Sequence, residues 1–218
     1  DGGNSWQKIL FINDRVGVID LVMDPRRPDV LYAATYEKER RAWTFVESGP
    51  GSAIYKSVDG GKTWRRLSKG LPAGAIGRIG LDIWFKNPDV LYAIVENANP
   101  RPKPEVKSTD AVDLSKLSAA LIGNEIFRSN DGGETWSKVN GEKDNVGGKA
   151  PYSFNIIRIA PDNEQNLYVL SDTLPNSTDG GKTWHDLDWP QLRLLSSMFG
   201  DVRALWIDPQ NPERILLG

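Results

Sequence analysis

Twenty-nine carboxylates, one histidine and no cysteine bound the chemistry open to this 218-residue chain. Without cysteine there is no disulfide, no thiolate nucleophile and no cysteine metal site. A single histidine, His185, removes most metal centres and most nucleophile–base–acid triads. Carboxylate chemistry remains, above all glycoside cleavage, which needs an acid and a base or nucleophile about 5–10 Å apart across a sugar cleft. Asp20, Asp82 and Glu96 lie in or beside apolar runs, but no spacing pairs any two of them. Asp59, Asp131 and Asp179 stand out because each opens the same run, Asp-Gly-Gly-x-Thr-Trp. An acid present in every copy reads as a turn fixture, since a catalytic acid is needed once. Trp43 and Trp189 fall in loop segments, where an indole can stack on a sugar or a peptide. Trp84 and Trp206 sit within apolar runs and read as core; His185, just after a repeated Trp, reads as solvent-facing. Asn176-Ser177-Thr178 fits a glycosylation acceptor, but it overlaps the start of a repeat and reads as coincidence. There is no phosphate-binding loop, no metal-ligand spacing and no basic patch interleaved with aromatics, so neither cofactor nor metal is expected.

The repeated acids belong to an eight-residue pattern, Ser-x-Asp-Gly-Gly-x-Thr-Trp, at Ser57–Trp64, Ser129–Trp136 and Ser177–Trp184. A shortened copy, Asp1-Gly2-Gly3-Asn4-Ser5-Trp6, opens the chain. The pattern predicts a hairpin with a fixed turn. The Asp accepts hydrogen bonds from backbone N–H groups one to three residues on. The glycine pairs Gly60-Gly61, Gly132-Gly133 and Gly180-Gly181 supply the positive φ angles that a tight turn needs. Trp64, Trp136 and Trp184 are expected to turn inward and bury a large apolar area.

A second marker travels with the first. Asp24-Pro25 through Asp29-Val30-Leu31-Tyr32-Ala33 returns as Asn87-Pro88-Asp89-Val90-Leu91-Tyr92-Ala93, as Pro161-Asp162 through Leu167-Tyr168, and as Asp208-Pro209 through Ile215-Leu216. An apolar run precedes each, at Val16–Met23, Ile76–Trp84, Phe154–Ala160 and Val202–Ile207. Short strands and the hairpin follow, giving four strands per unit. The repeated Trp residues, 6, 64, 136 and 184, lie 58, 72 and 48 residues apart. A bare four-stranded blade takes about 40–50 residues, so the first two intervals hold insertions. Repeated four-stranded antiparallel units point to an all-β fold, a β-propeller segment with three full blades and two partial ones. The apolar first strand is expected innermost, packed on both faces. A two-layer sandwich competes, but the regular repeat argues against it. The expected division is 1–10 as the end of a truncated blade, 15–70 with an insertion at 36–51, 75–140 with an insertion at 97–123, 152–188, and 201–218 as the start of another blade. Within 97–123, a Pro-rich arm leads into apolar residues Leu114, Leu117 and Leu121 at helical spacing, which predicts a helix over 111–122 lying on one face of the ring.

The Asp-Gly-Gly copies resemble the Asp-box of BNR-repeat propellers, a group that includes sialidases, xyloglucan-cleaving enzymes and sortilin-type receptors. The spacing from Asp-Pro through Leu-Tyr and Tyr-Lys-Ser to Asp-Gly-Gly-Lys-Thr-Trp is most similar to large bacterial secreted proteins of that group, labelled sortilin-like or glycosyl hydrolase. The resemblance implies a secreted or periplasmic, bacterial protein. Sialidase-like chemistry would also need an arginine cluster, a tyrosine nucleophile and a Phe/Tyr-Arg-Ile-Pro motif. That motif is absent, and Arg78-Ile79-Gly80 and Arg158-Ile159-Ala160 are partial echoes. The relatives' His-His-Asp run ahead of Leu-Trp-Ile-Asp-Pro is also missing from Asp201–Pro209. The expectation is a non-catalytic binding or scaffold module for a glycan or a protein; the alternative is a fragment of a polysaccharide-active glycosidase using two carboxylates. A formal net charge of −2 gives no general pull toward nucleic acid or an anionic membrane. No apolar run approaches the ~20 residues that span a bilayer. The strand count leaves a ring open, so either further sequence or another chain is expected to complete it.

Overall fold

In a computed structural model, residues 1–102, 121–142, 144–147, 150–186 and 202–218 are described. Among them the fold is all-β, with three four-stranded antiparallel sheets and two two-stranded pairs. The first sheet runs β1 (Val16–Met23), β2 (Leu31–Glu37), β5 (Ala53–Ser57) and β6 (Arg65–Leu67). Between β2 and β5 the chain forms a separate ribbon, β3 (Glu39–Arg41) paired with β4 (Thr44–Val46). The second sheet holds β7 (Ile76–Ile83), β8 (Leu91–Pro100), β9 (Leu121–Ser129) and β10 (Ser137–Lys138) in that spatial order. The third holds β11 (Ile156–Ile159), β12 (Leu167–Leu170), β13 (Pro175–Ser177) and β14 (His185–Asp186). A last pair, β15 (Leu205–Ile207) and β16 (Ile215–Leu217), follows.

The inner strands pack side by side, β1 against β7 and β7 against β11. Tyr32, Ala34 and Ile54 of the first sheet meet Ile79, Leu81 and Trp136 of the second in one apolar cluster. Tyr92, Ile94 and Ile126 of the second meet Ile157 and Ile159 of the third in another. β8 is buried along most of its length, as befits a strand covered on both faces. β1 departs from expectation. Its Val18, Leu21 and Met23 are exposed, since among the described residues no sheet covers that face.

Each repeated hairpin has one geometry. Thr63 N donates to Asp59 Oδ1 at 2.9 Å and the Thr63 hydroxyl to Asp59 Oδ2 at 2.6 Å. Ser57 Oγ donates to the same carboxylate at 2.7 Å and accepts from Gly61 N at 2.8 Å. Trp64 Nε1 closes the turn on Gly61 O at 3.0 Å. Gly60 and Gly61 take φ of 70° and 87°, which a β-carbon disfavours. The carboxylate thus reaches four residues on, one further than the pattern alone predicts. The tryptophans differ in depth: Trp136 is 4% exposed and Trp6 91%, while Trp64 and Trp184 are half-buried. The second marker is tied to the first through the backbone. Gly60, Gly132 and Gly180 donate their N–H groups to the carbonyls of Asp29, Asp89 and Gln165 at 2.9, 2.9 and 3.0 Å.

Two further expectations are corrected. Leu121 and Ile122, assigned to a helix, belong to β9, where Leu121 pairs with Pro100; residues 111–120 lie outside the described residues. The extension follows from β8, whose run to Pro100 gives β9 a partner beyond the hairpin proper. Trp206, assigned to the core, is half exposed, because the β15–β16 pair packs on the Leu170–Leu174 cluster through Leu205 and Leu217, which are in register on its other face.

Candidate functional site

Strand direction separates two ends of the sheets. β2 enters at Leu31, opposite Ser57 of the repeated hairpin, and leaves at Glu37, opposite Val16. The hairpins and marker turns therefore gather at one end. The opposite end carries the β3–β4 ribbon, the loop at 68–75 and the loop residues 139–142, 144–147 and 150–155.

At that second end a cation is enclosed by aromatic rings. Lys38 Nζ lies 5.7 Å from the ring centroid of Tyr36 and 5.6 Å from those of Phe45 and Tyr152. Phe45 and Tyr152 meet edge to face at 5.2 Å, and the Arg40 guanidinium stands 5.6 Å from Phe45. The alternation of β3 and β4 sets this up, since Arg40 and Phe45 are directly paired across the ribbon. Trp43, at the tip, is 80% exposed. With Arg40, Arg41, Phe45 and Tyr152 it borders a shallow hollow of about 380 Å³. Beneath the ring layer, the half-buried Arg78 donates Nη1 to Tyr152 O at 3.4 Å, and burial lowers its pKa. Farther round, the Arg203 guanidinium lies 5.1 Å from the ring of Phe154. The Tyr36 hydroxyl is buried with no hydrogen-bond partner among the described residues, and burial raises its pKa.

The candidate acids are committed elsewhere. The Thr63 hydroxyl and amide hold Asp59 at about 2. Against partial desolvation, the matching Thr183 bonds hold Asp179 at about 2 and those of Thr135 hold Asp131 low. Asp20 accepts the N–H of Leu81 at 2.9 Å, and Asp82 that of Ile159 at 2.7 Å, so each pins its inner strand to the next. Desolvation pushes Asp82 up to about 6, although the Ile159 bond opposes it. Glu96 is buried, accepts the N–H of Arg78 at 3.0 Å, and is pushed up to about 7 by desolvation and by the charge of Glu47. Glu37 is buried against Arg15 at 3.0 Å. Among the described residues no group of three acidic or histidine side chains is placed to hold a metal ion.

The structure places the sequence-derived residues far apart. Trp43 is on the ribbon; Asp59, Asp131 and Asp179, with their glycines and Trp64, Trp136 and Trp184, are at the hairpin end; Trp189 lies outside the described residues. His185 is exposed on β14, beside a hollow of about 700 Å³ that Asp144, Asp172 and Asp186 also line. Lys38 and Tyr152 were not singled out from sequence. The available signal was the aromatic pair Tyr152 and Phe154 at the end of a glycine-bearing loop, just ahead of an inner strand.

The BNR/Asp-box repeat family model matches residues 127–138, which contain the second hairpin. No curated protein matches the chain. Among solved structures, a GH74 enzyme from Niastella koreensis is similar at 19% identity over 89% of this chain and 25% of its own, with a TM-score of 0.52. YCF48 bound to D1 peptide is similar at 14% identity over 90% of this chain and 45% of its own, with a TM-score of 0.50. The GH74 xyloglucanase from Xanthomonas campestris is similar at 16% identity over 88% of this chain and 24% of its own, with a TM-score of 0.50. The chain thus spans about a quarter of the two enzymes and less than half of YCF48. Its fold is that of a β-propeller, and the four-stranded sheets are its blades. The protein carries the BNR/Asp-box repeat on that fold. Among the described residues no helix is long and apolar enough to cross a membrane.

Proposed function

We propose that this protein is a non-catalytic binding module of a secreted or periplasmic bacterial BNR-repeat propeller, and that its ligand is a glycan or a peptide taken at the ribbon end. The observation that carries this reading is the Lys38–Phe45–Tyr152 assembly with Arg40 and the exposed Trp43 beside it. Aromatic faces flanked by cations bind both sugar rings and peptide side chains. The likeness to a propeller bound to a peptide and to glycosidase propellers is compatible with either ligand class. Asp20, Asp82 and the hairpin acids are each held by structural hydrogen bonds, which supports binding over hydrolysis. On the same reading 15–70, 75–140 and 152–188 are blades, 1–10 and 201–218 are parts of two others, and further blades or another chain complete the ring. Glycan and peptide arrays probed with the wild type and with Trp43→Ala and Phe45→Ala test the proposal. A ligand bound by the wild type and lost by both variants supports it. A ligand whose affinity neither variant changes refutes the assignment to the ribbon. A second reading, a glycosidase, is favoured by Glu96, whose pKa near 7 suits a general acid. Release of reducing ends from xyloglucan or another polysaccharide, abolished in Glu96→Gln, would establish it in place of the first.

A further inference from the structure

The ribbon sorts its side chains by charge. Arg40 and Phe45 are directly paired and so project from one face, and Lys38 reaches the same ring. Glu39 and Arg41 project from the other face and form an ion pair with each other. The hollow of about 380 Å³ beside them is bordered by Arg40, Arg41, Trp43, Thr44, Phe45 and Tyr152, and by no acid among the described residues. Glu47, whose charge is felt by Tyr36 and Glu96, does not border it. Cations at the contacts between blades are neutralised: Lys56 and Arg65 meet Glu134 at 2.9 and 2.7 Å, and Arg128 meets Glu164 at 2.6 Å. Lys38 and Arg40 differ. Among the described residues neither has a carboxylate partner, and both rest on aromatic rings instead. A ring face positions a cation without cancelling its charge. One open hollow thus combines planar rings with positive charge that the chain itself does not neutralise.

We infer that the ribbon end takes an acidic polysaccharide built of hexuronate units, with a sugar face on Trp43 and carboxylates toward Arg40 and Lys38. This rests on the reading of the ribbon as a ligand site, and narrows its ligand to one class. Trp43 is 80% exposed and offers an indole face to the C–H face of a pyranose. Arg40 is exposed, and its planar guanidinium matches a carboxylate with two parallel hydrogen bonds. A hexuronate carries its carboxylate directly on the ring that stacks, so a single unit satisfies the indole and the cation together. A neutral glycan would use Trp43 and leave both cations unmatched. An acidic peptide side chain holds its carboxylate on a flexible stem with no ring, and would use Arg40 while leaving Trp43 idle. Successive uronates also present charge at every unit, which suits more than one cation along the ribbon. The attraction is at the surface and is screened over about 8 Å at physiological salt.

The test is calorimetric titration of the 218-residue chain with oligogalacturonate and oligomannuronate, with their methyl esters, with neutral cello-oligosaccharide and with polyglutamate. At least one uronate is expected to bind, and its ester to bind about tenfold more weakly or worse, the scale of one lost charged hydrogen bond. Arg40→Gln and Trp43→Ala are each expected to weaken uronate binding by about tenfold as well. Both residues are exposed, so the circular dichroism melts of these variants should match that of the wild type. Lys62→Gln removes an exposed cation at the hairpin end and should leave the affinity unchanged. Equal binding of acid and ester overturns the inference in favour of a neutral glycan, and preference for polyglutamate overturns it in favour of an acidic peptide. A loss in Lys62→Gln equal to that in Arg40→Gln overturns it as general charge attraction, and silence of both uronates overturns it outright. None of these outcomes touches the ribbon reading itself, which fails only if Trp43→Ala and Phe45→Ala leave unchanged the affinity for whichever ligand the arrays find.

Discussion

Replacing Trp136 with Ala should cost far more stability than the same change at Trp6, although both residues close the same sequence pattern. Trp136 is 4% exposed and sits in the apolar cluster between the first two blades. A buried Trp removes roughly 150–250 Å² from water, worth about 4–6 kcal/mol at about 25 cal/mol per Å². Measured losses for buried aromatic-to-Ala changes run at about 3–5 kcal/mol. The Nε1 bond to Gly133 O at 3.0 Å contributes about 1 kcal/mol within that range. We expect about 4 kcal/mol for Trp136→Ala. Trp6 also bonds its turn, through Nε1 to Gly3 O at 3.2 Å, but is 91% exposed. Its loss should fall below about 0.5 kcal/mol, the scale of a surface change. Half-buried Trp64 should lie between, near 2 kcal/mol, on the same roughly 25 cal/mol per Å² scale. Urea unfolding followed by circular dichroism gives all three from midpoints at a common slope. Equal losses at Trp6 and Trp136 would refute the reasoning, because they would show that the local turn, rather than the blade-to-blade contact, sets the value.

Two further outcomes are expected. Gly60→Val places a β-branched residue at φ of 70° with its Cβ about 3.3 Å from Asp29 Oδ1, and should lower stability by about 1–3 kcal/mol in the same urea assay. For Glu96, burial pushes the folded pKa to about 7, above the ordinary glutamate value of 4.5, so the folded state holds the proton more tightly. Its contribution is full below about 4.5 and is lost as pH rises through about 7. Glu96→Gln keeps a neutral acceptor for Arg78 N, so its stability relative to wild type should rise between pH 5 and pH 8 by up to about 3 kcal/mol. A difference independent of pH would show that Glu96 is not desolvated.

The hairpins were legible in the sequence because their geometry is local. The side-chain bonds of Ser57, Asp59, Thr63 and Trp64 close within residues 57–64, so one eight-residue window contains the whole device. The depth of each Trp was not legible, since it depends on whether the preceding blade supplies a segment such as Lys69-Gly70 to cover it. The same cause misplaced Trp206 and left β1 half wet: an apolar run states what a strand prefers to meet, and only the neighbouring sheet decides whether it is met. Leu121 was misassigned because its period suits a helix, while the long partner strand β8 determines its pairing. At the ribbon, Trp43 was legible as an exposed loop aromatic. The enclosure of Lys38 was not, because Tyr152 comes from a distant loop that only the fold brings beside Phe45.

The Gly132 carbonyl has a consequence for how such a chain lengthens over generations. It accepts the Tyr32 hydroxyl at 2.8 Å and Lys56 Nζ at 2.7 Å, both reaching across from the previous blade. Donor and acceptor thus belong to the same repeating unit, with the tyrosine and lysine on its second and third strands and the carbonyl in its hairpin. A tandem duplication of that unit copies both halves of the clasp at once. The newborn blade can grip its parent with no compensating mutation, and later drift is free to exchange the gripping pair. The next junction shows such an exchange: the Tyr92 hydroxyl accepts from Arg128 at 2.8 Å, and Arg128 reaches Glu164 of the following blade at 2.6 Å.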